Sequence, residues 1–108
     1  MPDPAILVLT HVPDRDVATR IAQALLERRL AACVNIGGTV HSMYHWRDEI
    51  ETADELPLSI KTRAALYPLV ERAIRDLHPY ETPEILAIPV HAGLRSYLDW
   101  IDAETASR

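Results

Sequence analysis

One cysteine and five histidines are the residues of this chain best suited to chemistry. Cys33 offers a thiolate; His11, His41, His45, His78 and His91 offer imidazoles. Thiolate and imidazole together suit copper and zinc. No pair has a recognised zinc-site spacing. Each residue also has a packing role open to it. Cys33 packs as a small apolar group if it lies in a strand. His78 precedes Pro79, where a helix would end, and an imidazole there can bond the last carbonyls. His41, Met43 and His45 alternate on one strand face, with the two histidines about 13 Å apart. Two histidines so far apart cannot hold one ion. His11 and His91 follow strand-like runs and read as strand-end residues. Tyr44, Trp46, Tyr80 and Trp100 combine a large apolar body with a polar tip, which suits a subunit interface better than a ligand cage. With only three glycines, the chain has no phosphate loop, and no nucleophile–base spacing is recognisable. The reading is of a protein that is not an enzyme.

The chain that must position these groups has 108 residues, 48% of them hydrophobic and 25% charged. That is the balance of a single globular domain spanning 1–108. Sixteen acidic residues against eleven basic ones leave a formal net charge of −5. Such a surface repels phosphate backbones and excludes nucleic acid as a natural partner. A lone cysteine allows no intramolecular disulfide and points to a reducing compartment. Met1-Pro2-Asp3-Pro4 lacks the positive start of a signal peptide, and no apolar run is long enough to span a membrane. The expected location is cytoplasmic.

Ala5 to Val12 is a continuous apolar, β-branched run and reads as a buried strand. Pro13-Asp14 ends it, with Asp14 as helix N-cap. Val17, Ile21, Ala24 and Leu25 then recur at helical spacing to about Leu30, with Arg28 and Arg29 in the last turn. Ala31 to Ile36 alternates as a strand; Gly37-Gly38 bends it, and Val40 to Trp46 resumes. Arg47-Asp48-Glu49 is a polar turn. Ile50 to Thr62 returns, with Leu56, Leu58 and Ile60 alternating against Glu55, Ser59 and Lys61. Pro57 in this run predicts that its missing N–H faces away from a ladder partner. The hairpin arms are long against the usual strand of about 5–6 residues.

Leu66, Leu69, Val70, Ala73, Ile74 and Leu77 predict an amphipathic helix, with Pro68 in its first turn. His78-Pro79 ends it. Ile85 to Val90 is a further strand, near an edge because of Pro89. Leu94, Tyr97, Leu98 and Ile101 form a short closing helix, and the last few residues fray. The order βαββαβ plus a terminal helix is the ferredoxin-like, α+β arrangement, with two helices on one face of an antiparallel sheet. That fold hosts many functions.

Leu30-Ala31-Ala32-Cys33-Val34-Asn35-Ile36 resembles the CutA divalent-cation tolerance family. The resemblance continues at Ser42-Met43-Tyr44-His45-Trp46, Ile60-Lys61-Thr62 and, most specifically, Leu77-His78-Pro79-Tyr80-Glu81-Thr82-Pro83-Glu84-Ile85. It closes at Ile88-Pro89-Val90 and Tyr97-Leu98-Asp99-Trp100-Ile101, in family order over nearly the whole chain. The resemblance implies a compact homotrimer related in architecture to the PII signalling proteins, and tolerance to divalent metals, copper above all. It carries over Cys33 and His78 as copper ligands; the nearby carboxylate Glu81 is a further candidate by residue type alone, which otherwise solvates the loop as Glu84 does. The alternative is a PII-like signalling or scaffold trimer that binds a small anion or a protein partner. Two departures stand out. The glycine usual shortly after the tip Trp is replaced by Arg47-Asp48-Glu49, and the usual proline at the strand bend by Gly37-Gly38. Asp tolerates left-handed turns, so the hairpin is expected to survive.

Overall fold

In the computed structural model, residues 3–105 are described; the expected fraying of the last residues falls outside them. The fold is mixed α+β, with antiparallel strand pairing throughout and three helices. In chain order the elements are β1 (Ala5–Val12), α1 (Arg15–Glu27), β2 (Cys33–Ile36), β3 (Val40–Trp46) and β4 (Glu49–Arg63). A 3-10 turn (Ala64–Leu66) leads into α2 (Tyr67–Leu77), then β5 (Ile85–Pro89) and α3 (Arg95–Glu104). The strand order is β2-β4-β1-β5, with β3 paired to the other end of β4. Pro89 thus lies on an edge strand, as its missing donor requires.

Asp14 caps α1 as expected, its Oδ1 accepting the Val17 amide at 2.9 Å. The helix stops earlier than the periodicity predicts, at Glu27. Arg28 and Arg29 lie beyond the last turn. Arg29 takes φ 56, its amide bonds Leu26 O at 3.1 Å, and the Leu30 amide bonds Leu25 O at 2.9 Å. This pair of bonds is the Schellman ending. An arginine stands where glycine is usual, and its guanidinium reaches Glu104 of α3 at 3.2 Å.

Paired strand residues share a face. Ile6, Val8 and Val12 of β1 and Leu56, Leu58 and Ile60 of β4 form one buried core with Val17, Ala18, Ile21 and Leu25 of α1 and Val70, Ala73 and Ile74 of α2. The opposite face carries Leu7 and Leu9, in register with Ile88 and Leu86 of β5. Lys61, Ser59, Cys33 and Asn35 extend it across β4 and β2. Leu86 is 55% exposed and Ile88 45%. α3 is tied to the sheet at one end, where Arg63 donates to the Thr105 hydroxyl at 3.1 Å and carbonyl at 2.7 Å.

Gly37-Gly38 separates β2 from β3. The Gly37 amide donates to Pro57 O at 2.9 Å. A Cβ on Gly37 would lie 2.8 Å from Pro57 Cγ, so the close approach excludes a side chain. One residue's amide and carbonyl point to the same side of a strand. The missing N–H of Pro57 therefore faces the end of β2, not β1. At the hairpin tip Trp46 pairs with Glu49, which leaves a two-residue turn rather than the expected three. Arg47 and Asp48 both have positive φ, 51 and 66, the pattern of a type I′ turn usually built with Asn or Gly. The hairpin survives without glycine. Arg47 is held over the Trp46 ring at 5.5 Å and pairs with Glu81 at 3.3 Å.

Candidate functional site

Between this hairpin and the loop after α2 lies a groove of about 790 Å³. Its hairpin wall is Ser42 to Trp46 with Glu51 and Glu55; its loop wall is Tyr80 to Glu84; His11, near the end of β1, completes it. The loop is set by His78, the C-cap of α2. Its imidazole does not bond the helix carbonyls. Nε2 meets the His11 carbonyl at 2.6 Å, and Nδ1 accepts the Tyr80 amide at 3.2 Å. An acceptor at Nδ1 and a donor at Nε2 define a neutral ring. That ring is only 7% exposed and leans on Tyr80 with centroids 4.7 Å apart.

Tyr80 in turn covers Glu55, donating its hydroxyl to Oε2 at 2.9 Å. The alternation with Leu56 places Glu55 on the outward face, yet it is only 7% exposed, because a ring 25 residues later closes over it. His11 Nδ1 lies 3.2 Å from Glu84 but is buried without an aligned hydrogen bond. Glu51 and Glu55 were not singled out by sequence, and His11 read as a strand-end residue; only the folded loop joins them to Glu84.

Burial, and then the bond to Glu55, push the Tyr80 phenol up to about 12 from its usual 10.0. Folded Tyr80 therefore holds its proton more tightly than unfolded Tyr80. This stabilisation is complete below pH 10 and is lost as pH rises through about 12. Tyr67 shifts the same way, through burial and then Glu71. The urea midpoint should hold to about pH 10 and then fall, less steeply in Tyr80→Phe. An unchanged slope in that variant would show that Tyr80 is not the group whose titration weakens the fold.

The proposed metal ligands do not meet within one subunit. Cys33 lies on β2, on the open sheet face, its Sγ 4.0 Å from Lys61 Nζ. Lys61 also bonds Asn35. Cys33 faces Lys61, whereas His11, which holds His78, faces Pro57. Four residues along β4 separate them, about 13 Å. Both ring nitrogens of His78 are engaged, and Glu81 pairs with Arg47. Among the described residues no three His, Cys, Asp or Glu side chains converge to hold an ion. His41 pairs with Asp54 at 2.7 Å. Tyr44, Trp46 and Tyr80 line the groove, while Trp100 stacks on Tyr97 in α3 at 5.4 Å.

The profile of the CutA1 divalent ion tolerance protein family matches residues 6–104. The divalent-cation tolerance protein CutA of Thermus thermophilus is 46% identical over 99 residues, covering 92% of this chain and 96% of that one. The crystal structure of CutA1 from Shewanella sp. SIB1 superposes with a TM-score of 0.93 at 42% identity, covering 99% of this chain and all of the other. The structure described as periplasmic divalent cation tolerance protein CutA from Archaeoglobus fulgidus gives 0.90 at 40% identity, over 94% and 98% of the two chains.

Proposed function

This chain belongs to the CutA1 divalent ion tolerance family, and from that premise we propose that it acts in divalent-cation tolerance as a homotrimer of ferredoxin-like subunits that takes up copper or a similar ion. The observation behind the assembly and the metal alike is the uncovered sheet face. It presents the half-buried Cys33 thiol on the same side as Leu7, Leu9, Leu86 and Ile88. A PII-like trimer would cover such a face with neighbouring copies. The residues of one subunit do not make a closed metal centre, so Cys33, His78 and Glu81 act as ligands only with a second copy or after the loop yields. The ion is cargo or signal here, and the protein is not an enzyme. No helix among the described residues is long and apolar enough to cross a membrane. The unpaired cysteine favours the cytoplasm.

The rival reading, a PII-like trimer binding a small anion, fits the groove poorly. Glu51, Glu55, Glu81 and Glu84 line it against His11 and His45. Copper titration of untagged protein tests the proposal. Cys33→Ser and His78→Ala should each lose about tenfold or more in affinity if they share a site, and the double variant little more. Affinity should fall as the solution is acidified, because protons compete with the ion for the thiolate and imidazole ligands. Unchanged copper binding in both variants, with the mass preserved, would remove these ligands from consideration.

A further inference from the structure

Glu55 is a carboxylate that is 7% exposed and has no cationic partner among the described residues. Only the Tyr80 hydroxyl bonds it, at Oε2. A buried carboxylate is costly unless it is paired and fully hydrogen-bonded. In the same groove His11 Nδ1 is buried without a hydrogen bond. The surroundings are aromatic and acidic: Tyr44, Trp46 and Tyr80, with Glu51, Glu81 and Glu84.

A compact metal ion needs several ligands converging within about 2–2.6 Å, and among the described residues no three do so. An organic cation has different needs. A guanidinium spreads its charge over a plane, donates several N–H bonds, stacks on aromatic rings and sheds water readily. Arg47 already makes that combination at the hairpin tip, stacked over Trp46 and paired with Glu81. A volume of about 790 Å³ is in the range of small-molecule sites.

We propose that the groove binds a small organic cation with a guanidinium or primary ammonium head, seated on Glu55 with its apolar tail along Tyr44 and Tyr80. The site is independent of the copper reading, because Cys33 lies elsewhere on the sheet. The head donates to the Glu55 oxygen that Tyr80 leaves unbonded and brings to that buried carboxylate the cation it is without. The carboxylates along the walls select charge, and the rings select a flat or apolar body. An anion of the same size is repelled.

Calorimetric titration of the intact protein with n-butylguanidinium, against n-butylurea as its neutral isostere, tests this. Butylguanidinium should saturate the protein, and butylurea should bind about tenfold or more weakly, the cost of losing one charge-assisted pairing. Glu55→Gln should lose about the same factor, and Tyr44→Leu a smaller one. Glu104→Gln, which alters a remote surface carboxylate paired with Arg29, should bind as the native protein does. Glu55→Gln should also keep its copper affinity, so failure here and failure of the copper reading are separable. Equal binding of the urea, no saturation by butylguanidinium, or full binding by Glu55→Gln would overturn the proposal. So would a change of assembled mass in Glu55→Gln, which would assign the seat to a lysine or arginine of a second copy.

Discussion

Light scattering on dilute protein should return three times the 12.2 kDa of one chain, and Leu86→Asp combined with Ile88→Asp should bring it down to one. Both side chains sit on the face opposite α1 and α2, in register with Leu9 and Leu7. At 55% and 45% exposure each has roughly half of the about 1.5–3 kcal/mol of a fully buried Leu or Ile still to gain. A neighbouring copy would supply that burial. A carboxylate placed there costs much less in a lone subunit, where water reaches it. Sealed in an apolar interface it costs several kcal/mol or drives the subunits apart. The far-UV spectrum should therefore survive while the mass falls. The native melting temperature should rise with protein concentration, because unfolding is tied to dissociation, and the double variant's should not. A native protein of single-chain mass, or a doubly charged variant that stays assembled, would show that this face is not where the copies meet.

Most of the fold was legible because it rests on periodicity and on a few stop signals. Ala5–Val12 is a continuous apolar, β-branched run, and Asp14 and Pro68 mark helix starts by mechanisms local to a few residues. His78-Pro79 stops α2 for the same kind of reason. The errors arise where the deciding contact is distant. Arg28 and Arg29 look like the last turn of a helix, but Arg29 turns left-handed and spends its charge on Glu104, far along the chain. The tip turn is two residues because Trp46 and Glu49 pair, a register no local rule sets when glycine is missing. The candidate site was less legible still. Glu55 has the pattern of an outward carboxylate and is buried only because Tyr80 reaches over it. His11 reads as a strand end, yet its carbonyl anchors His78 and its ring lines the groove. The family resemblance implied Cys33 and His78 as shared ligands; strand register separates them within one subunit.

Replacing His78 by alanine should be among the most damaging single changes outside the apolar core, at about 3–5 kcal/mol. Two polar groups lose their partner at once: the His11 carbonyl at 2.6 Å and the Tyr80 amide at 3.2 Å. Each group left unbonded where water cannot reach it costs about 1–3 kcal/mol, and the emptied ring space adds a cavity term. His91→Ala, at an exposed position, should stay within about 0.5 kcal/mol of the native protein. Urea unfolding checks both. The loop that His78 holds also carries Tyr80 over Glu55, so the damage should travel. In His78→Ala the Tyr80 phenol should titrate below its native value of about 12 and nearer its usual 10.0, read from the tyrosinate absorbance against Tyr80→Phe as the blank. A ligand role alone predicts otherwise: copper affinity lost, unfolding midpoint and Tyr80 titration unchanged. The two roles therefore separate on measurements made with no copper present. A His78→Ala protein as stable as the native one would show that the imidazole is not what holds the loop.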